Sequence, residues 1–102
     1  MLAAALSAST CPLTVGVNAT GAMYSDRFHG WYRTSASTLR SDLHNGCYND
    51  ANPSPVTSVK VLLDPNAPKS RVDSVFTILR SEGWERNRVV VESWKGPAQP
   101  KP

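Results

Sequence analysis

Residues Val56–Trp94 read VTSVKVLLDPNAPKSRVDSVFTILRSEGWERNRVVVESW, and a change of hydrophobic period within this stretch decides the fold. From Val56 to Leu63 the run is apolar and rich in β-branched residues, with only Thr57, Ser58 and Lys60 polar. That is the composition of an inner strand covered on at least one face. Asp64-Pro65 ends it. Val72, Val75, Phe76 and Leu79 then fall at i, i+3, i+4 and i+7, the spacing of one face of an amphipathic helix, here over residues 70–82. Ser70 and Asp73 have the spacing of a capping box in its Asp variant, and Gly83 stands where a C-terminal cap belongs. Arg88–Trp94 reads as a closing strand. A helix linking two strands in this way requires the strands to be parallel and the crossover right-handed.

Working outward toward the N-terminus, Leu13–Val17 alternates as a first strand, and Asn18-Ala19-Thr20-Gly21 supplies turn chemistry. Arg27–Arg33 is aromatic-rich and reads as a second strand, with Gly30 marking a bulge or a close approach. Ser35–Thr38 offers N-cap hydroxyls, Leu39 and Leu43 share a helical face, and Asn45-Gly46 is a stop signal. Tyr48–Pro55, with its prolines and asparagines, reads as a loop. The expected order is therefore β-β-α-β-α-β: an α+β or α/β two-layer sandwich, with a four-stranded mixed sheet and two helices on one face. Leu39, Leu43, Val72, Val75, Phe76 and Leu79 would pack on Val59, Val61, Leu63, Val89 and Val91, leaving the other sheet face open or covered by a partner. With 102 residues there is material for a single core, assigned to residues 12–94. Residues 1–11 are expected to be a flexible N-terminal segment and 95–102 a disordered or extended Pro-rich tail.

Cys11 and Cys47 are the only cysteines. They form no Cys-x-x-Cys pair, which excludes a thioredoxin-type site and a four-cysteine zinc site. Structural pairing of the two is expected, in an oxidising compartment, with two reduced thiols as the alternative. The apolar start Met1–Ala8 resembles the tail of a secretory signal or a membrane-proximal stub, too short to span a bilayer. Net charge is +3, but two of the eleven basic residues, Lys95 and Lys101, lie in the tail. The rest are nearly balanced by eight acidic residues, and no clustered basic face of the kind that reads nucleic acid emerges. Arg80, Arg86 and Arg88 form the one basic concentration.

The residues of the second half resemble the periplasmic domain of the ExbD/TolR family, accessory proteins of biopolymer-transport and Tol-Pal envelope motors. An inner strand runs into Asp64, two variable residues, and Ala67-Pro68. A helix follows with Val72, Val75 and Leu79 on its apolar face, ending at Gly83 before a last strand. Val15, Val17, the Gly21 turn, Leu39 and Leu43 extend the likeness over Leu13–Trp94. It implies a periplasmic, non-enzymatic module of a proton-driven complex, a homodimer, and contact with a TonB-like transducer or with peptidoglycan. The family's proton-coupling Asp sits in a transmembrane helix that this stretch does not contain, so the chain would meet the membrane only through such a segment.

The residues themselves offer little for catalysis. His29 and His44 have no acidic residue at a metal-ligand spacing, no Gly-x-Ser-x-Gly elbow exists, and the glycines are scattered rather than gathered into a phosphate loop. No enzyme activity, metal or cofactor is expected. Binding has better candidates: Tyr24, Phe28, Trp31, Tyr32 and Arg33 concentrate the residue types favoured at protein interfaces. A free sheet edge would let an extended peptide add as a strand. The rival reading is a secreted, disulfide-bonded inhibitor, immunity or effector-like domain that blocks a target with its aromatic segment. Asn18-Ala19-Thr20 is also a glycosylation sequon, of consequence only in a eukaryotic secreted protein.

Overall fold

A computed structural model describes residues 11–27, 30–45, 47–49 and 52–94. Their elements in chain order are β1 (Pro12–Val17), β2 (Met23–Arg27), β3 (Gly30–Arg33), α1 (Ala36–Asn45), β4 (Cys47–Asn49), β5 (Asn52–Ser54), β6 (Ser58–Leu63), α2 (Lys69–Ser81) and β7 (Val89–Ser93). A 3-10 turn, Arg86–Arg88, leads into β7. The main sheet has five strands in the order β3-β2-β1-β6-β7. β1 pairs antiparallel with β2, and β2 with β3, whereas β1–β6 and β6–β7 are parallel. The sheet is therefore mixed, with the parallel β6-α2-β7 unit expected from the period change.

Several expectations need correction. The four-stranded sheet has five strands, because a strand over Met23–Arg27 precedes the one at the end of the Arg27–Arg33 segment. β2 begins at Met23, directly after the turn, and β3 opens at Gly30. Gly30 makes no close approach, since a Cβ there would meet nothing within 4 Å. The Tyr48–Pro55 loop holds a separate hairpin, β4 on β5, with Cys47 opposite Ser54 and Asn49 opposite Asn52. Val56 lies outside β6: it is buried, and its N–H donates to the Leu43 carbonyl at 3.0 Å, tying the end of α1 to the approach to β6.

Side-chain alternation builds the core. Leu13, Val15 and Val17 of β1, Val59 and Val61 of β6, and Val89 of β7 are buried in one cluster with Leu39 and Leu43 of α1 and Val75, Ile78 and Leu79 of α2. Leu63, Ala67, Phe76 and Val91 pack against that cluster while staying partly exposed. Val72 is only half-buried, and Ile78, absent from the expected stripe, takes its place. The helix rotates its apolar face to 75-78-79 because α2 also packs beside α1.

The helix ends explain their sequences. Ser35 caps α1 by accepting from the Thr38 N–H at 3.3 Å. The Ser70–Asp73 capping box does not form: α2 starts at Lys69 with Pro68 at the N-cap, φ −60°, so Ser70 already lies within the first turn. Asp73 pairs with Lys69 instead, at 3.2 Å. At the other end Gly83 adopts φ +90°. Its N–H donates to Arg80 O at 3.0 Å and the Trp84 N–H to Leu79 O at 2.8 Å, the paired bonds of a Schellman motif, with Trp84 buried in the core as its apolar contact. Arg40 and His44 of α1 both reach Glu82, at 3.8 and 2.5 Å, and join the helix ends.

Candidate functional site

The sheet face opposite the Leu39–Leu79 cluster is set by the remaining strand positions. Gly16 stands opposite Tyr24 on β2 and Leu62 on β6, Tyr24 opposite Arg33 on β3, and Asp26 opposite Trp31. These residues therefore share one face. Trp94 follows β7, its N–H continuing the parallel ladder to Leu63 O at 2.9 Å. Its indole swings across to this face. The ring lies 5.0 Å from Trp31, tilted by 42°, and 6.3 Å from Tyr24 in an edge-to-face arrangement. Both separations fall in the range where aromatic pairs add stability beyond the area they bury. Arg33 stacks over the Tyr24 ring at 5.6 Å, completing a compact group.

Gly16 makes room for it. A Cβ built there would come within 2.5 Å of the Trp94 Cζ3 atom and 2.6 Å of Cη2. The glycine is thus a slot in the middle of a strand into which the indole fits. Gly16→Ala is expected to push Trp94 off the sheet at a cost of about 1–3 kcal/mol. The check is the Trp94 indole N–H resonance, which should move toward the solvent-exposed position while the core methyl resonances stay in place.

The sequence candidates divide between the two faces. Tyr24, Trp31 and Arg33 come together with Trp94; Tyr24 is 4% exposed and serves as the floor of the group rather than its contact surface. Tyr32 pairs with Ser25 and lies on the other face at 40% exposure. Phe28 falls outside the described residues. Trp94 was not foreseen as a site residue. Its signal was the glycine at position 16, legible only with the β1–β6 pairing in hand. Around the aromatic group lie half-buried Leu62, the Lys60–Glu92 ion pair at 3.7 Å, and Val90 on the outermost strand at 52% exposure.

The residues of the Asp64–Gly83 pattern hold the chain in shape. The Asp64 N–H donates to Val17 O at 3.0 Å, and its side chain accepts from the Asn66 N–H at 2.8 Å while its carbonyl accepts from Ala67 at 2.9 Å. Ala67 packs on the core, Pro68 opens α2, Val75 and Leu79 are buried beneath it with Val72 at the margin, and Gly83 closes it. Arg86 stacks on Phe76 at 4.8 Å and Arg88 on Trp84 at 4.5 Å, so these cations are attached to separate rings rather than gathered into one basic face.

Asn18 Oδ1 accepts from the Thr20 N–H, the Thr20 hydroxyl and the Ala22 N–H, at 3.0, 2.8 and 2.9 Å, which organises the turn between β1 and β2. Cys11 is buried, and its N–H donates to Thr57 Oγ1 at 2.7 Å. Cys47 stands in β4; its side chain lies outside the described residues. Among the described residues no cysteine is free, no group of three or more His, Cys, Asp or Glu could hold a metal, and no helix is long and apolar enough to cross a membrane. No protein-family model, curated protein or solved structure matches the chain.

Proposed function

We propose that this chain is a non-enzymatic, protein-binding module of the bacterial cell envelope, akin to the periplasmic domain of the ExbD/TolR family. Its partner docks on the sheet face that the helices leave free. The observation that carries this reading is the group formed by Trp31, Trp94 and Arg33 over Tyr24, at ring separations of 5.0 and 6.3 Å, on the face opposite the core. Trp, Tyr and Arg are enriched among the few residues that dominate binding energy at protein interfaces, and here they are already held by contact with one another. The outer strands β3 and β7 add a second mode, strand addition by an extended segment.

In this reading the site is periplasmic or otherwise oxidising, Cys11 is bonded to Cys47, and the chain acts as a homodimer beside a TonB-like transducer or peptidoglycan. The course of the backbone supports the disulfide. The Thr57 N–H donates to Cys11 O at 2.8 Å, and Ser54, three residues earlier in the chain, stands opposite Cys47.

The test is an amide-shift titration of the labelled chain with the periplasmic segment of a TonB-type transducer and, separately, with soluble peptidoglycan fragments. Saturable shifts concentrated in β3, β7 and Trp94 are expected with one of them. Trp31→Ala should weaken that binding by at least about tenfold, a larger loss than the drop in stability that follows from losing its contact with Trp94. Shifts with neither probe would remove the envelope-motor assignment and favour a secreted inhibitor or effector. Equal loss of binding and folding in Trp31→Ala would make the aromatic group structural.

A further inference from the structure

Directly after Trp94 the chain reads Lys95-Gly96-Pro97-Ala98-Gln99-Pro100-Lys101-Pro102. These residues lie outside the described part of the structure. Pro97 and Pro100 have the Pro-x-x-Pro spacing, and a polyproline II helix, which repeats every three residues, puts two such rings on one side. Segments of this kind dock on aromatic-lined surfaces, because they are already extended beforehand and lose little freedom on binding.

The aromatic face suits this segment in shape, reach and charge. Trp31 and Trp94, 5.0 Å apart and tilted by 42°, are both only half-buried, so each keeps ring surface uncovered above the Tyr24 floor. From β7, where the segment begins, to β3 is four strand spacings, about 19 Å. Residues 95–102 in polyproline II form extend about 25 Å, enough to cross. Gly96-Pro97, a turn-forming pair, stands where the chain must double back over the sheet. The segment carries two lysines and no acidic residue. On the face, Asp26 is exposed opposite Trp31 and forms no ion pair among the described residues. Glu92, at the start of the path, is held only by Lys60 at 3.7 Å.

We propose that residues 95–102 of the chain itself lie across this face, with Pro97 and Pro100 against the Trp31 and Trp94 rings and Lys101 close to Asp26, so that a partner must displace them. This rests on the reading of the face as a docking surface and adds its regulation. Attachment at Trp94 makes the contact intramolecular. So short a tether gives an effective concentration in the millimolar range, and weak stacking is then enough to populate the covered state. A partner binds only the uncovered fraction, and its apparent affinity falls in proportion.

The test is made on the labelled full chain with no partner present. Cross-peaks are expected from the Trp31 and Trp94 rings to the Pro97 and Pro100 ring protons, unchanged on dilution. Backbone order parameters at Ala98 and Gln99 should exceed about 0.6, below which a backbone is flexible. Replacing both prolines, Pro97→Ala with Pro100→Ala, should remove the cross-peaks and bring those order parameters below that limit, with the core methyl resonances in place. A parent chain without the cross-peaks and with flexible Ala98 and Gln99 would overturn the proposal. So would cross-peaks from the prolines to Leu63 and Val72, which would seat the tail in the hollow on the helix side of β7. Cross-peaks that fade on dilution would assign the tail to a second copy and overturn it equally. None of these outcomes involves the transducer or peptidoglycan, so the envelope reading can fail while the tail contact stands. Whichever of those probes binds should bind the double variant at least about threefold more tightly than the parent chain; equal affinity would overturn the tail as a cover.

Discussion

Leu79→Ala is expected to destabilise the fold by about 3 kcal/mol, within the 2–5 kcal/mol range for a fully buried leucine. Leu79 is 0% exposed and joins α2 to the valines of β1 and β6 in a single cluster. Its carbonyl also accepts the Trp84 N–H in the cap of α2, so a shift of the helix to fill the void would strain that cap. Relaxation is therefore limited, and most of the cavity should persist. A domain of this size has a total stability of roughly 5–15 kcal/mol, so the variant should melt on the order of 10–20 °C lower. Urea denaturation with an unchanged slope would attribute the loss to the native core. A loss below about 1 kcal/mol would mean that α2 is not seated on the sheet as described.

Cys47→Ser is the second variant with a large expected effect, and it tests the proposed bond to Cys11. Closing the chain between positions 11 and 47 restricts the unfolded ensemble by roughly 3–4 kcal/mol on the chain-entropy model. The bond would anchor the β4–β5 hairpin, which forms its own two-stranded sheet apart from the main one. An isolated hairpin of that size is marginal by itself. Under oxidising conditions the variant should melt well below the parent chain. Reductant should bring the parent down to the variant and leave the variant where it was. A variant that melts with the parent, or a parent indifferent to reductant, would separate the two cysteines.

The parts of the fold legible in the sequence were those where one physical signal dominates. The 72-75-79 spacing and Gly83 specified α2 and its end, and the β-branched runs on either side specified parallel strands, as found in β6 and β7. Ser35 gave the start of α1 for the same reason. Elsewhere two signals competed. Ser70 and Asp73 have a capping spacing, yet Pro68 is fixed near −60° in φ and takes the N-cap two residues earlier. Asn52–Ser54 contains a proline and reads as loop, but as a short strand in a two-stranded hairpin it needs few backbone donors. The aromatic run 24–33 showed which residue types were present without showing which face each occupies. Register decides that: Tyr32 falls opposite Ser25, whereas Trp31 falls opposite Asp26. Trp94 belongs to the same class of miss, since its place depends on a glycine 78 positions away in sequence and on a strand pairing that no local pattern reveals.

The two-sidedness of the sheet is the claim on which the functional reading stands, and a nuclear Overhauser spectrum of the folded chain tests it most directly. Cross-peaks are predicted from the Trp94 six-membered ring to both Gly16 Hα protons, and from the Val75 and Leu79 methyls to the valine methyls of β1 and β6. Helix methyls in contact with Gly16, or a Trp94 ring without contacts to β1, would place the helices on the face assigned here to a partner.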